Sequence, residues 1–418
     1  MISAADTVAI DASARVAANE PPARTPRARI LSVSLTYPTA DWPARGMFVR
    51  RRLESLARFA DVRVLAPRPW FPLRPAASPL PVPGEQLETR RPRMFYLPGV
   101  LKPTDPWFYA RLLSREIRRM PRRRRPNLID AHYEWPDGVA AVRAGRALGL
   151  PVIVTLRGKL ASLGHHPMRR AQVVDMLRRA DALIAVSRDL AAKARALAGD
   201  ELDVCVIPNG VDADVFYPAD RDAARRALGL SPQARYLVSV GYVQELKGFH
   251  RVVEALPDVR RRTGDVRLVL VGREVGEDDY VRRLDATIAR LGLKSVVTRV
   301  SDGAPQDTAR WLNAADLFVL ATRSEGWCNA IHEALACGTP VVTTDVGGNR
   351  ELVCTPDDGV LVPFGDAASL ARAIVEGLSR SWPRDAIAAR AAARTWDVVA
   401  REVWDVMREV LAARGEAL

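Results

Sequence analysis

The sequence is poor in the residues that build metal centres and disulfide frameworks. Only 4 of its 418 residues are cysteine and 5 are histidine. No two cysteines form a C-x-x-C pair, and the histidines do not stand at metal-ligand spacing, so neither zinc nor a disulfide framework is expected. Two of the cysteines fall in one predicted helix and are interpreted as small helix residues in a reducing compartment. The four are Cys205, Cys328, Cys337 and Cys354.

Long apolar runs and a secretion signal are also missing. No stretch reaches roughly 18 apolar residues, so no membrane-spanning helix is expected. The first residues lack a basic start and an apolar core, so they do not form a secretory signal. We interpret residues 1–28 as a disordered extension rich in alanine and proline, and we expect a cytoplasmic protein.

Acidic residues are in short supply relative to basic ones. Lysine plus arginine number 62 against 49 aspartate plus glutamate, which gives a net charge of +13. An acidic partner is therefore expected, such as nucleic acid, an anionic membrane surface or a phosphorylated substrate. No zinc-finger, leucine-zipper or RNA-recognition signature supports nucleic acid. The excess includes arginine runs in the first half of the chain, at 50–52, 118–119 and 122–125.

Short apolar runs alternate with amphipathic segments along most of the chain. This order predicts an α/β protein with two doubly wound sheets, because buried strands alternate with covering helices. We place the first domain at 29–212 and the second at 213–380, followed by helices at 381–418. The predicted strands include 30–35, 62–66, 127–132, 152–155, 236–241, 268–272, 316–321 and 341–344, and the predicted helices include 47–59, 108–120, 249–255, 278–291 and 396–413.

The stretch 322–353 predicts a turn, a helix over 328–337 and a returning strand. A glycine turn that leads into a helix N-terminus is a natural place for an anionic group. Glu325 lies before this helix, and Glu333 lies in its second turn. A diphosphate on the amides of 327–330 would have one carboxylate near each substituent, with hexose hydroxyls toward Glu325 and ribose hydroxyls toward Glu333. On spacing alone, a turn glutamate and a solvated helix glutamate remain the alternative.

The wording of this stretch, SEGWCNAIHEALACGTPVVTTDVGGNRE, resembles the donor-site signature of the retaining glycosyltransferases of family 4, with their E-x7-E motif. The resemblance implies that Glu325 contacts the transferred sugar and that Glu333 contacts the ribose. It also implies a GT-B architecture of two Rossmann-like domains facing a cleft, with a last helix that crosses back onto the first domain. The family's usual Phe-Gly is Trp327-Cys328 here. The resemblance covers about residues 29–415.

A second segment, 241–248, resembles the family's phosphate-gripping motif. In the family an arginine and a lysine there hold the leaving diphosphate. Lys247 keeps the lysine, but Tyr242 stands at the arginine position. Either the phosphate clamp is weaker in this chain, or another cation such as Arg273 or Arg157 takes the place of the arginine. Arg157 is equally compatible with a local carboxylate partner. Gly272 and Arg273 follow a strand similar to the family's nucleobase-side segment.

Segments of the first domain resemble the family more loosely. His132 ends a strand, where ligands of doubly wound sheets bind. Its surroundings are similar to the family's D-x-x-H-x-H segment, with Asp130 where the first histidine commonly stands, and this implies that His132 lines the sugar pocket. Gly46 stands where the family has a two-glycine loop facing the donor phosphates, although a plain turn glycine is equally compatible. The aromatic, proline-rich segment 68–101 forms either acceptor-side loops, a membrane-facing edge or a variable surface connection.

The residues and the resemblance together predict a retaining glycosyltransferase that moves a hexose from a nucleotide diphosphate sugar to a hydroxyl acceptor. The family and the arginine clusters favour a lipid-linked saccharide as acceptor and a peripheral position on an anionic membrane. Neither a metal nor another cofactor is expected. The rivals are a basic protein that binds nucleic acid or an anionic surface, and a related sugar-phosphate synthase or phosphorylase. The candidate catalytic residues are His132, Glu325 and Lys247, and the candidate donor-binding residues are Gly46, Tyr242, Lys247, Gly272, Arg273, Glu325, Gly326, Trp327, Cys328, Asn329, Ala330 and Glu333, with Arg157 as a further phosphate contact.

Overall fold

The computed structural model describes residues 28–72, 80–99, 101–163, 166–276, 278–301 and 303–415. The extension expected at 1–28 lies outside these residues, apart from Ala28. The first half of the chain contains nine strands and five helices in the described residues: β1 (Arg29–Val33), α1 (Met47–Leu56), β2 (Asp61–Leu65), β3 (Arg68–Trp70), β4 (Glu88–Arg90), β5 (Arg93–Phe95), α2 (Asp105–Arg119), β6 (Leu128–His132), α3 (Val139–Leu148), β7 (Val152–Leu156), α4 (Pro167–Arg179), β8 (Ala182–Ala185), α5 (Arg188–Ala198) and β9 (Cys205–Val206).

The second half repeats the alternation and ends in helices. Its elements are α6 (Arg221–Ala227), β10 (Arg235–Val240), α7 (Phe249–Thr263), β11 (Val266–Val271), α8 (Asp278–Arg290), β12 (Val297–Val300), α9 (Pro305–Ala314), β13 (Leu317–Leu320), α10 (Asn329–Ala336), β14 (Val341–Thr344), α11 (Asn349–Leu352), β15 (Gly359–Val362), α12 (Ala367–Ser379), α13 (Arg384–Ala392) and α14 (Trp396–Ala413).

Two parallel sheets organise the molecule. The first has seven strands in the order β4-β2-β1-β6-β7-β8-β9, and the second has six in the order β12-β11-β10-β13-β14-β15. In the central strands β6, β7, β13 and β14 every residue is buried. Helices cover both faces of such a sheet, so both faces of these strands are buried, and polar residues such as Asp130 and His132 of β6 are buried with the apolar ones. The predicted doubly wound α/β fold is confirmed.

The last helix, α14, packs against the first domain. Its buried residues Val403, Met407 and Leu411 pack with Val49 and Leu53 of α1 in one apolar cluster. At the edge of this cluster, Phe59 and Trp404 stack with ring centroids 6.4 Å apart. The 3.6-residue period of the apolar positions in α14 produces one continuous buried stripe, so this helix ties the C-terminus to the first domain.

One predicted helix end is wrong. The sequence predicts a helix over 249–255 that stops before Pro257, but α7 continues through Pro257 to Thr263. Proline removes one intrahelical hydrogen bond and usually ends a helix. Here Leu256 and Val259 on either side of it are buried in the core of the second domain, and that burial favours continuation.

Phe95, in the aromatic segment 68–101, packs against Phe108 of α2. Phe95 contacts Trp70, Phe71 and Phe108 with ring centroids 6.4, 6.1 and 5.0 Å apart. These four rings are half-buried, and Trp107 beside them is 51% exposed. Within the described residues no helix combines the length and the apolar character needed to cross a bilayer.

Candidate functional site

Two glycines, Gly326 within the loop and Gly347 beside it, fix the loop between β13 and α10 through close backbone contacts. A Cβ on Gly326 would lie 2.6 Å from the carbonyl oxygen of Arg157, which belongs to the first domain. A Cβ on Gly347 would lie 1.9 Å from the carbonyl oxygen of Glu325, and Gly347 also has a φ of +54°. Real Cβ atoms do not approach backbone this closely, so only glycine fits at these positions. The backbone that carries Glu325 is therefore fixed from both domains.

Lys247 and Glu325 form an ion pair in this loop. Lys247 Nζ donates to Glu325 Oε1 over 2.7 Å, and both side chains are largely buried. Burial alone would lower the pKa of Lys247, but the adjacent Glu325 carboxylate raises it above its usual range. The turn that carries the lysine approaches the loop closely, because a Cβ on Gly248 would lie 1.9 Å from the carbonyl oxygen of Ala321. The sequence predicted these two residues for one site, and the structure places them in contact.

Glu333 lies on α10 without a partner of its own. Its side chain is half-buried, and among the described residues no hydrogen bond or ion pair engages its carboxylate. Burial, and to a lesser extent the charge of Asp212, raise the pKa of Glu333 to about 7. An unsatisfied carboxylate in such a place can accept hydrogen bonds from a ligand's hydroxyls.

The N-terminus of α10 lacks a side-chain cap. The N-cap residue is Cys328, and its thiol makes no capping hydrogen bond. Burial raises the pKa of Cys328 to about 12, so it is a thiol and not a nucleophilic thiolate at neutral pH. The first amides of α10, those of Asn329 and Ala330, are the groups that an anion at a helix N-terminus would use. Trp327 precedes them and packs against the cores of both domains.

His132 is completely buried at the end of β6. Its Nε2 lies 3.1 Å from Asp130 Oδ2 and 2.9 Å from Ser32 Oγ. Its Nδ1 lies 3.1 Å from a guanidinium nitrogen of Arg157. Arginine can only donate, so Nδ1 accepts and the ring proton is on Nε2. Burial lowers the pKa of His132 to about 3. The charges of Arg52 and Arg157 also lower it, while Asp130 opposes the change, and the ring is therefore neutral. Both ring nitrogens are occupied within the protein, and contact with a sugar remains a prediction.

Arg157 lies between His132 and the second domain. Its guanidinium donates to Asn209 Oδ1 over 3.0 Å and lies 4.9 Å from the centroid of the Phe48 ring. No carboxylate of the described residues is within ion-pair distance of the Arg157 guanidinium. The side chain therefore does not pair with a local carboxylate, which was the alternative from the sequence. Burial, together with the charge of Arg52, lowers the pKa of Arg157 to about 9.

Asn209 connects the two domains and was not singled out in the sequence. Its amide donates to Asn329 Oδ1 at the start of α10 over 3.0 Å, while its oxygen accepts from Arg157. The pattern P-N-G-V-D at 208–212 was interpreted only as an interdomain crossing. A side-chain amide next to an interdomain crossing can bond residues of both domains. The position of Asn209 beside the crossing is therefore the signal that could have identified it.

Of the remaining candidates, Tyr242 and Arg273 lie at a second contact between the domains, and Gly46 and Gly272 lie in tightly packed turns. The Trp42 and Tyr242 rings are 5.5 Å apart in an edge-on arrangement, and Arg273 donates to the carbonyl oxygen of Asp41 over 3.2 Å. Gly46 has a φ of +73°, and a Cβ there would lie 2.2 Å from the carbonyl oxygen of Thr36. Gly46 is therefore required by the packing of its own loop. Gly272 is similarly required, since a Cβ there would lie 1.7 Å from the carbonyl oxygen of Gly241.

Two glutamates that the sequence did not mark as site residues support this arrangement. Buried Glu134 accepts hydrogen bonds from the main-chain amides of Arg157 and Gly158 over 3.2 and 3.1 Å. Glu351 of α11 accepts from the amide of Arg188 over 2.8 Å, and so caps a first-domain helix from the second domain. Its position after the Gly-Gly turn belongs to the segment that resembles the family, but the sequence alone assigned it no role.

Comparisons with known proteins match both halves of the chain. The family model described as Glycosyltransferase Family 4 matches residues 46–215, and the model described as Glycosyl transferases group 1 matches residues 234–380. The D-inositol 3-phosphate glycosyltransferase of Segniliparus rotundus is 34% identical over 249 residues, which cover 57% of this chain and 55% of that protein. The enzyme of the same name from Xylanimonas cellulosilytica is 32% identical over 308 residues, which cover 69% of this chain and 73% of that protein. The chain thus spans a little over half of the first relative's length.

A solved structure shows the same fold. The crystal structure of Anabaena Alr3699/HepE in complex with UDP and glucose matches with a TM-score of 0.73 at 22% identity, and the match covers 91% of this chain and 100% of that chain. The similarity supports the predicted arrangement of two Rossmann-like domains.

Proposed function

Because the chain belongs to glycosyltransferase family 4, we propose that it transfers a hexose from a nucleotide diphosphate sugar to a hydroxyl acceptor, with retention at the anomeric carbon. We further propose a lipid-linked saccharide as the acceptor and a cytoplasmic protein that lies peripherally on an anionic membrane. No divalent metal takes part in this proposal. The Anabaena protein of the same fold was crystallised in complex with UDP and glucose, which are parts of such a donor.

The observation that carries the proposal is the Lys247–Glu325 pair beside the uncapped start of α10. An ammonium and helix amides suit a diphosphate, because both supply positive charge or donors to phosphate oxygens. A carboxylate suits sugar hydroxyls, because it can only accept. The unpartnered Glu333, eight residues after Glu325, offers a second acceptor for the ribose.

Donor binding changes the partners of this ion pair. In the structure, Lys247 donates a hydrogen bond to Glu325. The diphosphate competes for Lys247, and Glu325 then turns to the hydroxyls of the hexose. As the sugar–phosphate bond breaks, negative charge accumulates on the leaving diphosphate and positive charge on the sugar. Lys247 stabilises the first and Glu325 the second, so both interactions strengthen in the transition state.

Turnover of nucleotide sugars tests the proposal. The full chain is incubated with a panel of nucleotide sugars and with lipid-linked and soluble saccharide acceptors, with and without a metal chelator, and products are identified by mass spectrometry. We expect one donor to be consumed in preference to the others, with the same anomeric configuration in the product and no loss on chelation. Absence of nucleotide binding and of donor turnover across the panel would contradict the proposed reaction.

A further inference from the structure

Three neighbouring strands of the first sheet end at one surface. β1, β6 and β7 are adjacent and parallel, so their carboxyl ends lie side by side. Ligands of doubly wound sheets bind at this end of the strands. The loop after β1 leads to Arg45 and Phe48, the residue after β6 is Tyr133, and Arg157 and Lys159 follow β7.

Each ring on this surface has a cation beside it. Lys159 Nζ lies 4.9 Å from the Tyr133 ring centroid. Arg157 Cζ lies 4.9 Å from the Phe48 ring, and the Phe48 and Tyr133 rings are themselves 6.4 Å apart. Arg45 Cζ lies 5.2 Å from the ring of Trp42. The cationic wall, as we call this surface, consists of Arg45, Arg157 and Lys159 with Trp42, Phe48 and Tyr133.

Tyr133 is held in the wall by an unusual backbone conformation. Its φ is +77° with ψ of 150°, a region that non-glycine residues rarely adopt. The hydrogen bond from its amide to Thr155 O, at 3.0 Å, and the one from Gly138 N to its carbonyl, at 3.0 Å, maintain this conformation. Residues kept in such regions cluster at ligand-binding sites, where the surroundings enforce the geometry.

Two carboxylates near the wall are buried and accept hydrogen bonds from main-chain amides. Glu134 is completely buried and accepts from main-chain amides, including that of Lys159 at 3.4 Å. Asp137 is also buried and accepts from the amide of Leu35 over 2.6 Å. Among the described residues, neither Arg45 nor Arg157 has a carboxylate within ion-pair distance. Arg45 and Lys159 therefore supply positive charge at the half-buried face of the wall, while Glu134 and Asp137 are buried and accept hydrogen bonds from main-chain amides.

The wall faces the donor loop across the domain boundary. Trp42 contacts Tyr242, and a Cβ on Gly158 would lie 3.3 Å from Gly326 Cα. A molecule on the first-domain side of this boundary, opposite the donor, is in the acceptor's position. That assignment rests on the proposed function.

We propose that the wall binds the acceptor, and that this acceptor is a saccharide bearing an anionic group, either a carboxylate or a phosphate. Charge-assisted hydrogen bonds from Arg45 and Lys159 would hold the anion. The aromatic rings would pack against the apolar face of the sugar, since binding pockets combine aromatic surface with a few placed polar groups. The acceptor's charge is thus a specificity determinant for the first domain.

Paired probes test the charge requirement directly. Calorimetry on the full chain, with UDP present, compares p-nitrophenyl β-glucuronide with p-nitrophenyl β-glucoside, and glucose 6-phosphate with glucose. We expect the charged member of at least one pair to bind about tenfold more tightly, the scale of one charge-assisted hydrogen bond. The pair that shows the preference distinguishes a carboxylate from a phosphate. Arg45→Ala and Lys159→Gln are expected to remove most of it, while Arg143→Ala, at an exposed position of α3, retains it.

Other outcomes would overturn the inference. Equal affinity within both pairs, or no binding of any probe, excludes an anion site. An equal loss in Arg143→Ala assigns the preference to net charge. If Arg45→Ala loses UDP affinity in the same proportion, Arg45 serves the donor and not the acceptor. The proposed function is judged separately by donor turnover, so loss of the charge preference with turnover intact contradicts only the wall.

Discussion

The Glu325 carboxylate accepts from Lys247 in the structure, and in the proposed function it accepts from the hydroxyls of the transferred sugar. Without ligand it accepts from Lys247 over 2.7 Å. Glu333 has no such partner in the described structure, and burial raises its pKa to about 7. The two carboxylates of the E-x7-E motif are thus in different electrostatic states before any donor arrives. Their replacement should therefore have different effects.

Glu325→Ala is expected to lose turnover of the donor while it retains affinity for a nucleoside diphosphate, which lacks the transferred sugar. Glu333→Ala is expected to weaken the binding of the nucleoside diphosphate as well, because charge-assisted hydrogen bonds to ribose hydroxyls contribute about 1.5–3 kcal/mol. Calorimetry with nucleoside diphosphate and release of free sugar from the donor measure the two properties. Glu376→Ala, at an exposed position of α12, is the control. If both site variants lose affinity and turnover in the same ratio, the carboxylates do not divide the donor.

The raised pKa of Glu333 gives the affinity for nucleotide a pH dependence of predictable sign. Ribose hydroxyls donate to the ionised carboxylate, so binding lowers the pKa of Glu333 from about 7 and releases a proton. Affinity should therefore rise with pH between about 6 and 8, and level off above this range. Glu333→Gln removes this titration, so subtracting its pH profile isolates the contribution of Glu333 from that of the phosphates. Identical slopes for the two proteins would refute the assignment.

At the scale of elements, the candidate donor site depends on turns that approach one another more closely than side chains allow. Gly347 packs on the carbonyl of Glu325, and Gly248 packs on that of Ala321. These contacts position the start of α10 and the turn that carries Lys247. The site's geometry is therefore set by backbone contacts between loops, with few side-chain atoms between them.

Gly347→Ala is expected to displace the Glu325 loop and abolish turnover. The added Cβ would stand 1.9 Å from the Glu325 carbonyl oxygen, so backbone must move. Gly149→Ala is the matched control, because Gly149 also has a left-handed φ, +67°, but nothing lies within 4 Å of its Cβ position. The control should lose only about 1 kcal/mol of unfolding free energy, the cost of the left-handed conformation, and keep its turnover. Thermal unfolding and donor hydrolysis measure the two effects, and equal behaviour of the variants would contradict the packing argument.

The sequence predicted most of the strands and helices, because these elements depend on local order. An apolar run predicted β13. The spacing of Glu325 and Glu333 around a helix start predicted a donor site, and that assignment stays a prediction. It did not predict that Arg157 would contact His132, because these residues are brought together by neighbouring strands. For the same reason it missed Asn209, whose bridge to α10 exists only when both domains are placed.

At the scale of the whole molecule, the two domains are in contact at several separate places. Asn209 bonds Asn329, Trp42 contacts Tyr242, and Glu351 caps α5. These contacts are polar or aromatic, as is typical of an interface between domains of one chain. They hold the loop that carries Glu325 against the first domain.

The charge of the whole molecule predicts where it is found in the presence of lipid. Arg122 and Arg123 are exposed, and no carboxylate of the described residues pairs with them. Basic residues near an anionic bilayer contribute about 1 kcal/mol each. Liposome sedimentation at low salt should therefore show binding to anionic vesicles and little to neutral ones.

Arg122→Ala with Arg123→Ala should weaken that binding markedly. Arg261→Ala with Arg262→Ala removes the same net charge from the second domain, where both arginines already pair with Asp258. A partnered arginine is partly neutralised by its carboxylate, so this control should retain most of the binding, because attraction to a surface acts only within about a Debye length. An equal loss in the two double variants would show that net charge, and not a surface on the first domain, brings the protein to lipid. Equal sedimentation with neutral and anionic vesicles would exclude the electrostatic mechanism altogether.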